Sequence, residues 1–368
     1  MNQAEFRWNL PLSQASPDVQ TRLCSLETLG QHAGRSTQTP FATGGNLLAT
    51  TCFDPRWLRV LRDGLAHQPY FIEGWQAGQV RGSLPLTLLR SRLFGRFLVS
   101  LPYLNSGGVQ AAGAEVAERL IDHAVQLADQ LDVRYLELRH EVELVHPALT
   151  EKNASKWHLR LPLPGTVDVL WRSFSPKVRN QIRKGAGQGF TVAWGGLEQL
   201  AGFYNVFSHN MRDLGTPVYG PSLFRGILQH FSSDAEICVV RWGRKPVAAA
   251  MLVHGQGMTE VPSASSLRRF NATNANMFLY WQLLQRAIQR HQQVFDFGRS
   301  SEGSGTYRFK KQWGARPEPS CWQYYVRRGA IGDLRPENAK YQRAIRIWQR
   351  LPVRLANLLG PRIVRGIP

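Results

Sequence analysis

The chain has 368 residues, of which 43% are hydrophobic, 19% charged and 10% aromatic; these proportions exclude disordered, collagen-like and coiled-coil proteins and leave room for two folded domains. It carries 45 Lys and Arg against 26 Asp and Glu, a net charge of +19, and the excess is segregated: residues 1–168 hold 16 basic and 16 acidic side chains, residues 169–368 hold 29 and 10. A surplus confined to one half points to a phosphate-bearing molecule or an anionic lipid surface met by that half, while the other half does something else.

Residues 1–46, rich in Ser, Thr, Gln, Gly and Pro, read as a loosely ordered lead-in without a cationic, apolar leader. Structure is expected from Asp54-Pro55, an N-cap followed by proline at the first helical position. A hairpin is predicted over PYFIEGWQAGQVRGSLPLTLL, with its turn at a glycine. The next segment, EVAERLIDHAVQLADQL, puts Val116, Leu120, Ala124, Leu127 and Leu131 on one helical face, and VRYLELRH reads as a strand. The second half repeats this order with the hairpin EICVVRWGRKPVAAAMLVHG, the strand TEVPSASS, the helix NMFLYWQLLQRAIQRH and the strand VFDFGRS. Trp75 then matches Trp242 and Arg139 matches Arg299, as a duplicated unit would give. Each unit is a meander followed by a strand–helix–strand crossover, so the expected fold class is α/β (or α+β), two similar domains each with a mixed sheet flanked by helices. The expected divisions are 1–46, 47–165, 166–328 and a tail, 329–368, with the domain boundary at Pro162–Gly165.

In the tail, residues 339–368 contain seven Lys and Arg and no acid. Tyr341, Ile345 and Trp348, and beyond them Leu351, Leu355 and Leu358, fall at helical spacing. Such a basic amphipathic helix can lie on an anionic membrane or dock on the protein, and both readings stand at this level. With no apolar window of spanning length, the expected location is the cytoplasm, with possible peripheral contact at the inner membrane face through 339–368. Cys24, Cys52, Cys238 and Cys321 are isolated and read as reduced core residues, and no metal site is expected.

Two constellations suit phosphate. Ser175 as N-cap and Pro176 at the first position start a helix carrying Lys177, Arg179, Arg183 and Lys184 without an acid nearby. Arg268 and Arg269 precede a helix that Asn274 or Asn276 could cap, and helix N-termini favour anions. Acetyl-CoA-dependent acetyltransferases of the GNAT type carry a Gly-rich loop at the equivalent crossover; here the residues are Asn271-Ala272-Thr273-Asn274-Ala275, a departure from that pattern. A third constellation is VFDFGRSSEGSGTYRFKKQWGARP, read as a strand ending at Asp296, Gly298 and Arg299, a Ser/Gly loop, and a second strand bearing Tyr307, Lys310 and Lys311. Alternation would point the two lysines apart, leaving at most one for a cleft. No Ser-His-Asp or Cys-His set supports a covalent nucleophile.

Ser173 to Gly189, NMRDLGTPVYGPSLF and FDFGRSSEGSGTYRFKKQWGA together resemble the FemAB-like family, in particular its subgroup associated with PEP-CTERM/exosortase systems. The resemblance covers the chain from about residue 50 and implies tandem GNAT-like domains and transfer of an aminoacyl or acyl group to a peptidoglycan or exopolysaccharide precursor. It matches the family's F-K-x-x-F/W-G stretch to Phe309, Lys310, Trp313 and Gly314, which makes Lys310 the candidate catalytic residue, with Tyr307 beside it. It implies phosphate contacts for Arg179 and Arg183, beside which Lys177, Arg268, Arg269, Asn276 and Arg299 are read from their own chemistry as further phosphate or substrate contacts, and it places Asn210, Arg212, Asp213 and Tyr219 in a stretch that either contacts the acceptor or holds a buried structural Arg212–Asp213 cluster. No tightly bound cofactor is implied; the donor would be aminoacyl-tRNA or acyl-CoA. The alternatives are an acyl-CoA-dependent acetyltransferase and a non-catalytic, membrane-associated partner of a polysaccharide assembly system.

Overall fold

Two runs of alternating strands, each interrupted by one long helix, set the architecture. The computed structural model describes residues 19–26, 50–92, 94–331 and 339–367, with backbone alone for 339–341. Its first half forms β1 (Gln20–Cys24), α1 (Arg56–Leu65), β2 (Gln68–Gln76), β3 (Gln79–Ser91), β4 (Gly95–Val99), β5 (Gln110–Ala111), α2 (Ala114–Gln130), β6 (Tyr135–His140) and β7 (Glu151–Asn153). Then come β8 (Lys156–Pro162), α3 (Val167–Ser173), α4 (Pro176–Ala186), β9 (Phe190–Gly195), α5 (Leu200–Leu214), α6 (Pro221–His230), β10 (Ala235–Trp242), β11 (Lys245–His254), β12 (Met258–Ser266), α7 (Ala275–Gln289), β13 (Val294–Ser301), α8 (Gly305–Lys311), β14 (Arg316–Pro319), β15 (Cys321–Val326), α9 (Ala339–Trp348) and α10 (Val353–Val364).

The strands form two mixed sheets, ordered β1-β2-β3-β4-β6-β15-β7, with β5 on β3, and β14-β8-β13-β12-β11-β10-β9. In each, a hairpin leads to a third strand and a helix crosses over to a parallel neighbour: α2 joins β4 to β6, and α7 joins β12 to β13. The duplicated order expected from the sequence is therefore present as topology. The predicted α2 face is buried at Val116, Leu120, Ala124 and Leu127 and packs on the first sheet. Ser175 caps α4 by accepting from the Val178 amide at 3.4 Å, with Pro176 next, as its sequence requires.

The division of the chain differs from the expected one in three respects. Within the lead-in, Gln20–Cys24 pairs antiparallel with β2; residues 1–18 and 27–46 lie outside the described residues. The second sheet starts before Pro162–Gly165, because β8 pairs with β13 and β14. Finally β15 leaves the second unit and returns to the first sheet between β6 and β7. The unpaired edge of β6 explains the return: its backbone groups need a partner, and CWQYYV supplies one with Tyr324 packed against Tyr135. Cys52, Cys238 and Cys321 are buried, but Cys24 on the edge strand is only half-buried.

The units are also joined through helices. Trp57, Leu58, Val60 and Leu61 of α1 enter the core of the second unit, and Trp57 meets Phe231 at 4.8 Å between ring centroids. A side chain at Gly64 would put its Cβ 2.9 Å from the Leu223 backbone, so glycine permits α1 and α6 to touch.

In the second sheet, Glu236 on β10 accepts from Arg286 of α7 at 2.6 Å and sits 3.0 Å from His254. Burial raises its pKa, but these hydrogen bonds and the arginine charge outweigh it and hold the carboxyl down at about 2. A depressed folded-state pKa stabilises the protein above the usual carboxyl value of 4.5, and that stability is lost as pH falls through 2. The urea midpoint of the wild type is therefore expected to drop across that window, and Glu236→Gln to flatten the drop.

Candidate active site

The candidate site lies where two parallel strands stop pairing. β12 and β13 are in register at Met258–Val294, Thr259–Phe295 and Glu260–Asp296, and their pairing ends there. Just beyond, β13 carries a bulge between Asp296 and Arg299 in its pairing with β8, with Gly298 at φ +76°. A Cβ at Gly298 would lie 3.1 Å from Nδ2 of the Asn105 side chain, so the bulge also brings the two units close. Bulges of this kind redirect side chains.

Lys310 reaches this bulge from α8. Residues 305–311 are a helix and not the strand that the sequence suggests, because Ser304 caps the segment by accepting from the Tyr307 amide at 3.1 Å. Seven residues make less than two full turns, too few for a helical period to stand out against the alternation of Tyr307 and Phe309. Three residues apart, Tyr307 and Lys310 share one side of α8 and are both buried, while Lys311 is exposed. Lys310 Nζ donates to the carbonyls of Gly298 and Arg299, each at 3.0 Å. Burial lowers its pKa to about 8, with Arg299 and Lys156 acting in the same direction and Asp296 against it.

Around the lysine lies a buried ionic network that sequence reading missed. Asp296 accepts from the Gly298 amide at 2.6 Å and from Arg160 Nε at 3.1 Å. Burial opposes its ionisation, but His158, Arg160 and that amide pull its pKa well below the usual range. Arg160 also pairs with Glu141 at 2.6 Å and Glu318 at 2.8 Å, and Ser106 donates to Glu141 at 2.6 Å. Glu260 accepts from the Thr50 hydroxyl, the Thr51 amide and the Cys52 thiol, so residues 50–52 are tied to the end of the paired strands. Burial and the charge of Asp296 raise the Glu260 pKa. The readable signal was a lone acid in each of two apolar strands, Glu260 and Asp296; that they lie side by side depends on strand register.

A second cluster spans the two sheets. Arg139 and Arg299, the pair matched by the internal repeat, both stack on Trp322 of β15, at 3.9 and 3.4 Å from guanidinium carbon to ring centroid. Arg139 is paired with Glu137 at 2.7 Å and donates to the Leu104 carbonyl, and Trp322 Nε1 donates to the Asn105 carbonyl. The Nε of Arg299 is buried without a partner among the described residues, and burial together with Arg139 lowers its pKa to about 9. The loop these groups hold is strained: Leu101 and Tyr103 have φ of 50° and 70° without being glycine.

Of the expected acceptor residues, Asn210 donates at 3.2 Å to Ser265 Oγ, on the part of β12 that pairs with β11 but no longer with β13, and Tyr219 packs its ring 5.1 Å from Tyr103. Arg212 and Asp213 pair with each other at 2.8 Å, and Arg212 also donates to the Leu351 carbonyl, which ties them to the C-terminal helices. The expected phosphate residues gather elsewhere. Lys177 and Arg183 are exposed on α4 and Arg179 is half-buried there; α4 meets the start of α7 where Gly185 touches Asn274 and Phe278. Arg268 and Arg269 are exposed in the 3-10 turn just before, and Asn276 lies in the first turn of α7. Asn274 occupies the N-cap in a left-handed conformation, φ 57°, with no side-chain cap bond, contrary to the expected capping role. Arg299 is set apart from this group, in the Trp322 cluster. Two open grooves of about 600 and 670 Å³ run along α5, the first lined in part by His209, Arg241, Lys245 and Arg269; Lys310 lines neither. Among the described residues, no group of three or more His, Cys, Asp or Glu is arranged to hold a metal ion.

Residues 172–311 match the acetyltransferase (GNAT) domain family. The fold resembles the crystal structure of FemX, with a TM-score of 0.62 at 14% identity over 90% of this chain and 100% of that one. It also resembles L-PGS from Bacillus licheniformis, with 0.52 at 12% over 88% and 97%, and a tandem GNAT protein from the clavulanic acid biosynthesis pathway, with 0.52 at 12% over 86% and 100%. No curated protein matches the sequence. The architecture is thus a tandem GNAT fold, a mixed α/β structure of two helix-flanked sheets. No helix among the described residues is long and apolar enough to cross a membrane.

Proposed function

We propose that the chain is an acyltransferase that moves an aminoacyl or acyl group to an amine or hydroxyl of a cell-envelope or exopolysaccharide precursor. The observation that carries this reading is the buried Lys310 ammonium at the point where β12 and β13 part, held by two backbone carbonyls and, among the described residues, by no carboxylate. In the reaction the acceptor nitrogen or oxygen attacks the acyl carbon, the carbonyl π pair moves onto oxygen, and Lys310 donates a hydrogen bond to that oxygen. Collapse breaks the bond to the ester oxygen of tRNA or the thioester sulfur of CoA, and the proton lost by the acceptor ends on that atom. Holding donor and acceptor together supplies much of the rate. Lys177, Arg179, Arg183, Arg268, Arg269 and Asn276 would steer donor phosphates, and Asn210, Tyr219 and the Arg212–Asp213 pair would meet the acceptor.

An acyl-CoA donor is the second reading, favoured by the match of residues 172–311 to the acetyltransferase (GNAT) domain. CoA retained by the purified protein would select it, and binding of charged tRNA without CoA would select the first. The function itself is tested by mass spectrometry of envelope glycans from cells with the protein, without it, and with Lys310→Met. An acyl mass increment present with the wild type alone is expected; full restoration by Lys310→Met would leave only a non-catalytic role. Replacing Arg179 and Arg183 with Ala is expected to weaken donor binding and to flatten its logarithmic salt dependence by about 1–2 units, read by titration at several salt concentrations.

A further inference from the structure

The C-terminal helices have two faces of opposite character. Inward, Ala356, Gly360 and Val364 of α10 are buried at i, i+4 and i+8, and a Cβ at Gly360 would lie 2.8 Å from the Val218 backbone. Ile345 of α9 sits so near Gly215 that a Cβ there would be 2.5 Å away. Polar bonds fix the same face: Gln349 donates to the Asp213 carbonyl at 3.3 Å, and Tyr103 to the Arg365 carbonyl at 3.0 Å. The docked reading of this segment thus holds for one side of it.

Outward, the pattern differs. At 100° per residue, Leu355, Leu358 and Arg362 lie opposite the buried stripe of α10. Leu355 is 46% exposed, Leu358 62%, Leu359 42% and Ile347 of α9 59%. Four of the eleven exposed large hydrophobic residues in the described chain are therefore on these two helices. Arg343, Arg346, Arg350, Arg354, Arg362 and Arg365 are all exposed, none makes an ion pair among the described residues, and the segment contains no acid. The side chains of Lys340 and Tyr341 lie outside the described residues. Exposed leucines ringed by unpaired arginines complement a surface that is negative at its face and apolar beneath, which is the make-up of an anionic bilayer. A nucleic acid would use the arginines and leave the leucines in water.

We propose that α9 and α10 dock flat on an anionic membrane, with Leu355, Leu358, Leu359 and Ile347 entering the headgroup boundary and the arginines meeting lipid phosphates. The docking does not depend on acyl transfer. It is tested by sedimentation of the full chain with vesicles of phosphatidylglycerol and phosphatidylcholine, against vesicles of phosphatidylcholine alone, and by competition with a homopolymeric RNA. The wild type is expected to bind the anionic vesicles at least about 100-fold more tightly than the neutral ones. Leu355→Glu/Leu358→Glu, whose side chains face solvent and whose melting temperature serves as the folding control, is expected to bind them at least about tenfold more weakly. Failure of the wild type to sediment with anionic vesicles overturns the proposal. Sedimentation unaffected by the double substitution does so as well, and so does displacement by RNA that binds wild type and variant equally.

Discussion

Lys310→Met is expected to reduce acyl transfer by about 10²–10³-fold in kcat with little change in the KM for donor, since the lost hydrogen bond strengthens only as charge gathers on the acyl oxygen. The wild-type rate should depend on pH in a way that the variant does not. In the proposed mechanism the ammonium form is the active one, and burial has brought its pKa down to about 8. The rate is therefore expected to fall as pH rises above 8, and Lys310→Met to lose that limb from its residual activity. A pH profile of kcat that falls alike in both proteins would remove the ammonium from the mechanism. Stability should move in the opposite direction: the folded-state value lies below the ordinary 10.5, so the unfolded chain holds the proton longer and stability gains from this group between pH 8 and 10.5.

Arg160→Met is expected to have the largest effect on stability, a loss of about 3–5 kcal/mol, because it leaves buried carboxylates without their counter-charge. Arg160 is 6% exposed, and its guanidinium joins Asp296 and Glu318 of the second unit to Glu141 of the first. Chemical denaturation at neutral pH measures the loss. Arg160→Lys should recover part of it, since a single ammonium cannot reproduce the fork that reaches three carboxylates. A loss below about 1 kcal/mol in Arg160→Met would mean that the acids protonate or find water at little cost.

The parts of this fold that were legible in the sequence are those set by local periodicity. The α2 stripe, the two hairpins, the Ser175-Pro176 helix start and the repeated order of the units all follow from residues near one another in the chain. What was not legible depends on distant partners. Nothing in CWQYYV says that it belongs beside β6, more than 180 residues earlier. Glu260 and Asp296 become neighbours only through a parallel register, and Arg160 meets Glu141 only because the two units abut. α8 was misread for a local reason, being too short to show its own period. Lys310 was found through a family resemblance, and its burial among carbonyls is a property of the folded chain alone.

The return of β15 has a consequence for how the protein is made. Translation delivers the neighbours of the first sheet in order as far as β7, yet the place between β6 and β7 stays vacant until Val326 clears the ribosome. His140 waits as long for Gln323, its hydrogen-bond partner at 2.9 Å. The nascent N-terminal lobe therefore spends the whole synthesis of its twin with an open edge, which is where chaperones bind and aggregation starts. The sheet that begins first is the last to be closed.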